Sequence, residues 1–133
     1  MSTVPLTFDS FEAAVASGGV VLVSFAEPGC GSCAAFAPVF EQASCAHPDL
    51  KFACVDVEAE PALAETYDIL AVPTLMIFRD GVPLVREPGA MSPDELEAMI
   101  TQIEALDMER INQAIAELVR QTKLAAASER QRN

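Results

Sequence analysis

The sequence predicts an α/β domain in which helices cover both faces of a mixed sheet, with an extra amphipathic helix at the C-terminal end. Three observations predict it. Strand-type and helix-type segments alternate through the first half of the chain. The run Val20-Val21-Leu22-Val23-Ser24-Phe25 is apolar without strong alternation, as suits a central strand covered on both faces. The last two strand segments flank Asp80-Gly81, a tight hairpin signal, so this pair is antiparallel while the alternating part implies right-handed parallel crossovers.

In chain order, Thr3 to Phe8 reads as a short strand, and Pro5 puts it at or near a sheet edge. Asp9-Ser10-Phe11-Glu12 reads as an N-cap with an acid three positions on, opening a helix through about Ser17, and Gly18-Gly19 ends it. After the central strand, Pro28-Gly29 turns the chain into Cys30-Gly31-Ser32-Cys33. Ala34 to about Ala46 reads as helix, with Phe36, Phe40 and Ala43 on one stripe and a kink at Pro38. Lys51 to Val57 reads as a second buried strand, and a short helix follows from Glu60 to Tyr67 with Pro61 in its first turn. The hairpin pairs Thr74–Arg79 with Val82–Arg86. Ser92-Pro93-Asp94-Glu95 is a strong helix start, and that helix runs to about Ala105.

The chain of 133 residues is 51% apolar, enough for one domain with its own core. That domain is expected over residues 1–106. Residues 107–133 form an extension in which Met108, Ile111, Ile115 and Leu118 recur at helical spacing. Beyond Leu124 the extension is Ala-rich, then polar and basic, and is expected to fray. The apolar stripe has two readings: docking onto its own domain, or pairing with a second copy or another protein.

Charge is unevenly placed. Residues 1–106 carry three cations against sixteen acids, whereas residues 107–133 carry five cations against four acids. An acidic body lacks the basic stripe that phosphate binding requires, so nucleic acid is not an expected partner. The charge serves solubility, or favours basic partner surfaces. No segment is long and apolar enough to span a membrane. The run Val20–Val23 is too short for a signal sequence, and Asp9 and Glu12 lie where a signal peptide avoids acids. A cytoplasmic location is the expectation.

Four cysteines in a cytosolic chain of this length do not suit a disulfide-built scaffold. Cys30 and Cys33 are spaced C-x-x-C at the start of a helix, where free backbone N–H groups and the positive end of the helix dipole stabilise a thiolate on the first sulfur. Cys30 is therefore the expected nucleophile, and Cys33 is placed to resolve the mixed disulfide. Gly31 gives the close turn, and Ser32 can offer its hydroxyl to either sulfur. Half of a zinc site would look the same. A four-ligand site needs two more ligands, and only Cys45, His47 and Cys54 are at hand, with no second C-x-x-C. No metal or cofactor is implied; Tyr67 and the phenylalanines read as core.

The strand before the motif, the helix after it and Val72-Pro73-Thr74 some forty residues later together resemble the thioredoxin family over roughly residues 3–106. The matching pieces are Val21 to Ala26, Cys30-Gly31-Ser32-Cys33, Ala37-Pro38, Phe52 to Val57, Val72-Pro73-Thr74-Leu75, Phe78-Arg79-Asp80-Gly81 and Gly89-Ala90. The resemblance implies the thioredoxin fold and a cis peptide bond before Pro73 beside the cysteine pair. It also implies that Val72, Pro73 and Gly89 contact the substrate backbone. The implied activity is reduction of disulfides in client proteins, with the dithiol restored by a flavin enzyme of the thioredoxin-reductase type.

The departures from the family pattern are equally specific. Gly29 stands where members usually carry tryptophan, Ser32 where they carry proline, Ser24 where a buried aspartate assists the second thiol, and Cys54 where a buried lysine often pairs with it. Losing both charged partners together leaves no unpaired buried charge, but it removes the usual proton acceptor for Cys33. Glu27 lies too near the surface turn to replace it, which leaves water or partner groups to take the proton. These departures keep a second class of function open, a thioredoxin-fold binding or chaperone-like module with weak redox activity. Cys45 and Cys54 are expected to be buried small apolar residues rather than a second redox pair. His47, before Pro48, is expected to be a solvated helix-end residue.

Overall fold

Alternate side chains of the central strand serve different layers. In β2 (Val20–Ala26), Val20 and Leu22 join one core cluster while Val21, Val23 and Phe25 join the other. A strand that must satisfy two apolar layers has no polar face, which is why its sequence shows no alternation. The computed structural model describes residues 3–132, with side chains described as far as residue 125.

Around β2 the chain builds a five-stranded sheet of order β1-β3-β2-β4-β5. The strands β1 (Thr3–Pro5) and β3 (Lys51–Asp56) run parallel to β2; β4 (Thr74–Arg79) runs antiparallel to it, and β5 (Val82–Pro88) antiparallel to β4. The expected mixed sheet is thus present, with the proline-bearing β1 at its edge. The β4–β5 turn places Asp80 at φ 53° and Gly81 at φ 83°, the left-handed pair that Asp-Gly hairpins favour. Asp80 is anchored further, because its backbone N–H and its Oδ1 bond the backbone O and N of Gly19, both at 2.9 Å.

The helices α1 (Phe8–Ala16) and α3 (Pro61–Thr66) cover one face through Phe11, Val15 and Leu63. On the other face, α2 (Gly31–Ala46) and α4 (Pro93–Glu104) contribute Phe36, Phe40, Ala43, Leu96, Ile100 and Ile103. Aromatic rings stack within the first layer, with Phe11 and Tyr67 centroids 5.0 Å apart.

Several boundaries differ from expectation. The first strand ends at Pro5, not Phe8, and α1 is capped at Thr7 rather than Asp9: the Thr7 N–H donates to Ser10 Oγ at 2.9 Å. Asp9 becomes a first-turn acid, a position the helix dipole also favours. Helix α2 begins at Gly31, three residues earlier than the apolar stripe indicates, because Cys30 itself is the N-cap. The box at Ser92 and Glu95 forms as expected.

The last helix, α5 (Met108–Arg132), docks by its first turns alone. Met108 is buried and Ile111 half-buried, whereas Ile115, Leu118, Val119 and Leu124 are exposed. Docking of the whole stripe onto its own domain is therefore not what the structure shows. The backbone stays helical past Leu124; the side chains of the basic stretch expected to fray lie outside the described residues.

Candidate redox site

The cysteine pair sits where the C-terminal end of β2 passes through a turn into α2. Cys30 is half-buried and extended (φ −84°, ψ 116°), and its Sγ accepts the Cys33 backbone N–H at 3.1 Å. This is N-capping by sulfur, with the positive end of a sixteen-residue helix directed at the first sulfur of the pair. Cys33 lies one turn inside the helix and is 7% exposed. The two are joined as a disulfide, with Cα atoms 5.2 Å apart. An attacking sulfur from another molecule thus meets Cys30 first.

The sequence-predicted companions gather at the same place. Ser32 Oγ lies 3.4 Å from Cys30 Sγ, and the Val72 carbonyl oxygen lies 3.8 Å from it. The Val72–Pro73 bond is cis. Gly89 donates its N–H to the Pro73 carbonyl at 2.8 Å, so the loop after β5 is tied to the cis-proline loop. Its φ of 97° is one that only glycine adopts readily. Gly31 opens the helix, is exposed, and has open space where a Cβ would point.

Behind the pair lies a cleft of about 400 Å³ lined by Ser24, Cys33, Pro38, Phe40, Glu41 and Cys54, among others. Ser24 and Cys54 are direct neighbours across the β2–β3 pairing, so the two positions where a charged residue of the family pattern is lost do form one locus. Burial raises the Cys54 thiol pKa first, and the charge of Glu41 raises it further. Glu41 enters from α2 and is held at the edge strand, where Thr3 Oγ1 donates to its Oε2 at 2.8 Å. Sequence reasoning did not single out Glu41. The signal was its place four and eight residues after Ala37 and Cys33, within one sector of the helix.

Two expectations are corrected. Cys45 is exposed, not buried: the inward stripe of α2 runs through Phe36, Phe40, Ala43 and Ser44, and Cys45 falls outside it. Cys54 is half-buried. His47 is not simply solvated; its Nε2 lies 2.8 Å and 3.1 Å from the two carboxylate oxygens of Glu97, linking the end of α2 to α4. Glu27 is exposed, as expected. No group of three or more His, Cys, Asp or Glu side chains able to hold a metal gathers among the described residues.

Comparison with known proteins agrees with this geometry. The family model described as Thioredoxin matches residues 2–102. A Streptomyces coelicolor protein named "Putative thioredoxin 2" is 43% identical over 116 residues, spanning 87% of each chain. The thioredoxin of Mycolicibacterium smegmatis is 39% identical over 93 residues, covering 67% of this chain and 83% of that one. Among solved structures, oxidised mitochondrial thioredoxin 3 from Saccharomyces cerevisiae superposes with a TM-score of 0.70 at 27% identity, covering 76% of this chain and 95% of that one. With a C-x-x-C disulfide capping a helix beside a cis proline, and with relatives matched over most of their length, the chain belongs to the thioredoxin family and is a thiol–disulfide oxidoreductase.

Proposed function

We propose that the chain reduces disulfides in client proteins, with Cys30 as nucleophile and Cys33 as resolving thiol. The observation that carries this assignment is the capped sulfur: the Cys33 N–H directed at Cys30 Sγ stabilises negative charge on that atom when the pair is reduced. The Cys30 thiolate attacks the client disulfide, forming a bond to one client sulfur and expelling the other as thiolate. Cys33 then attacks Cys30 Sγ, closing the intramolecular disulfide and releasing the second client sulfur. Ser32 Oγ supports the first sulfur. The backbone of Val72 with Pro73, and the Gly89 loop bonded to it, offer an extended client segment a strand-like edge beside the reacting atoms.

The proposed source of electrons is a flavin enzyme of the thioredoxin-reductase type, and the proposed compartment is the reducing cytosol. The cysteine pattern supports that compartment, since the half-buried Cys54 has no structural disulfide. No helix among the described residues is long and apolar enough to cross a membrane.

The test is reduction of insulin disulfides with dithiothreitol as electron source. The wild-type chain is expected to accelerate insulin precipitation well above the dithiothreitol background, and Cys30→Ser to return it to background. Wild-type turnover at background, unchanged in Cys30→Ser, would instead identify a thioredoxin-fold binding module.

A further inference from the structure

We infer that the hollow between the loop after β5 and helix α4 is a subsite for a basic side chain of the client, arginine or lysine, close in sequence to the client cysteine. This rests on the client-reduction reading above and names the client chemistry that the same site selects.

A single residue joins the hollow to the client edge. The Val72 carbonyl oxygen lies 3.8 Å from Cys30 Sγ, and Gly89 donates its N–H to the Pro73 carbonyl at 2.8 Å. Pro88 and Ala90, on either side of Gly89, line a hollow of about 360 Å³. An extended client segment advances about 3.3 Å per residue, so one lying along Val72 and Pro73 passes Gly89 about two to four residues from its reacting cysteine.

The lining specifies what fits. Met91 is buried and Met99 half-buried, and their thioethers adapt to the stem of a long side chain. Glu87 from β5 and Glu95 from α4 line the same hollow and are both exposed. An apolar stem with a cationic head meets both requirements at once. Glu95 is held in place by the start of α4, where its Oε1 accepts the Ser92 N–H at 3.3 Å. An ionised carboxylate accepts several donors, so this bond does not exhaust it.

Strand alternation leaves the hollow without a cation of its own. Glu87 is in register with Leu75, which belongs to the core layer under α4. Arg86 is in register with Met76 of the opposite layer, and donates to the Tyr67 carbonyl at 2.9 Å. The neighbouring cation is thus turned away, and no Lys or Arg lines the hollow. Lys51 and Arg79 stand at the other end of the sheet, in register with Val21 and Val20, far from Ala26 and Thr74 at the redox end.

The probe is a short alanine–serine peptide with one cysteine, held as its mixed disulfide with nitrothiobenzoate. The Cys30 thiolate of the reduced protein bonds to the peptide sulfur and expels the coloured nitrothiobenzoate thiolate, whose absorbance gives the rate. The rate remaining in Cys30→Ser, which includes the exposed Cys45, is subtracted. Arginine, lysine or norleucine replaces one alanine at each position within reach, and each rate is divided by that of the all-alanine peptide on the same protein. At the best position arginine and lysine are expected to react at least about fivefold faster than alanine at low salt, with norleucine gaining much less. Glu87→Gln combined with Glu95→Gln, in which glutamine keeps the helix-capping acceptor, is expected to bring the arginine ratio close to one. Glu27→Gln combined with Glu58→Gln removes as much charge outside the hollow and should keep most of the ratio. No arginine advantage at any position would overturn the inference. Norleucine equal to arginine would do the same, as would equal loss of the ratio in the two double variants. An all-alanine peptide reacting no faster with the wild type than with Cys30→Ser would instead remove the dithiol reading itself.

Discussion

Four residue positions separate this site from the family pattern, and their consequences differ. Gly29 and Ser32 change the loop around Cys30, while Ser24 and Cys54 change the wall behind Cys33. The two cysteines outside the motif should behave differently toward an alkylating reagent. Cys45 is exposed on α2, whereas Cys54 is half-buried with its pKa raised by burial and then by Glu41. In the oxidised protein, iodoacetamide near neutral pH is therefore expected to label Cys45 at least about tenfold faster than Cys54, because thiolate fraction and access both fall at Cys54. Peptide mass spectrometry over time reads this, and equal rates would contradict it. The raised pKa also has a sign in stability. The folded state holds the Cys54 proton more tightly than the unfolded chain, so stability is constant below the unfolded value near 9.0 and declines as pH rises through the folded one. The catalytic pair was legible in the sequence because its spacing carries its chemistry. Glu41 was not, since its spacing from Cys33 and Ala37 places it on one sector of α2 but does not say that β1 and β3 fold against that sector.

Among the elements, most of those specified by local chemistry were placed within a residue or two, whereas the distant contacts that hold their ends were not visible. The Ser92 and Glu95 box, Pro61 at the start of α3 and the Asp80-Gly81 turn all act within a few residues of themselves. The start of α1 moved to Thr7 because Ser10 satisfies its N–H, a local pairing that competed with the equally plausible Asp9. The end of α4 illustrates the opposite case. Its last turn holds no basic residue; instead Arg79 Nη1, from β4, donates to the carbonyls of Ile103 at 2.7 Å, Glu104 at 3.2 Å and Leu106 at 3.0 Å. A cation reaching across from the sheet thus does the work of a C-cap. Replacing Arg79 with Met keeps the aliphatic stem but leaves these carbonyls without that donor. The expected loss is about 2 kcal/mol in urea unfolding, the range for hydrogen bonds to a charged group. Turnover of a small disulfide should be unchanged, because Arg79 sits at the end of β4 opposite the Thr74 end that adjoins Val72 and Pro73.

At the scale of the whole molecule, the redox site and the C-terminal helix are built independently. The sheet carries the cysteine pair at the C-terminal end of β2, whereas α5 leaves from the end of α4, next to the carbonyls that Arg79 caps. The repeating stripe from Met108 to Leu118 announced an amphipathic helix, but periodicity alone does not say how far a helix stays in contact with its neighbour. The structure divides it: Met108 is buried, Ile111 half-buried, and the apolar side chains beyond are exposed. The division predicts a step in stability along the extension. Truncation after Leu106 removes Met108 and Ile111 and is expected to cost about 2 kcal/mol, the value of withdrawing one large apolar side chain and part of another from a core. Truncation after Gln113 keeps both and should cost less than about 0.5 kcal/mol, the usual scale of surface changes. Urea unfolding of the two truncated chains beside the full one separates these outcomes. Equal stability of all three would mean that Met108 contributes nothing to the core, and an equal loss in both would mean that the exposed turns beyond Gln113 carry the stabilisation. Sedimentation of the same three chains reads whether the exposed stripe also joins one copy to another.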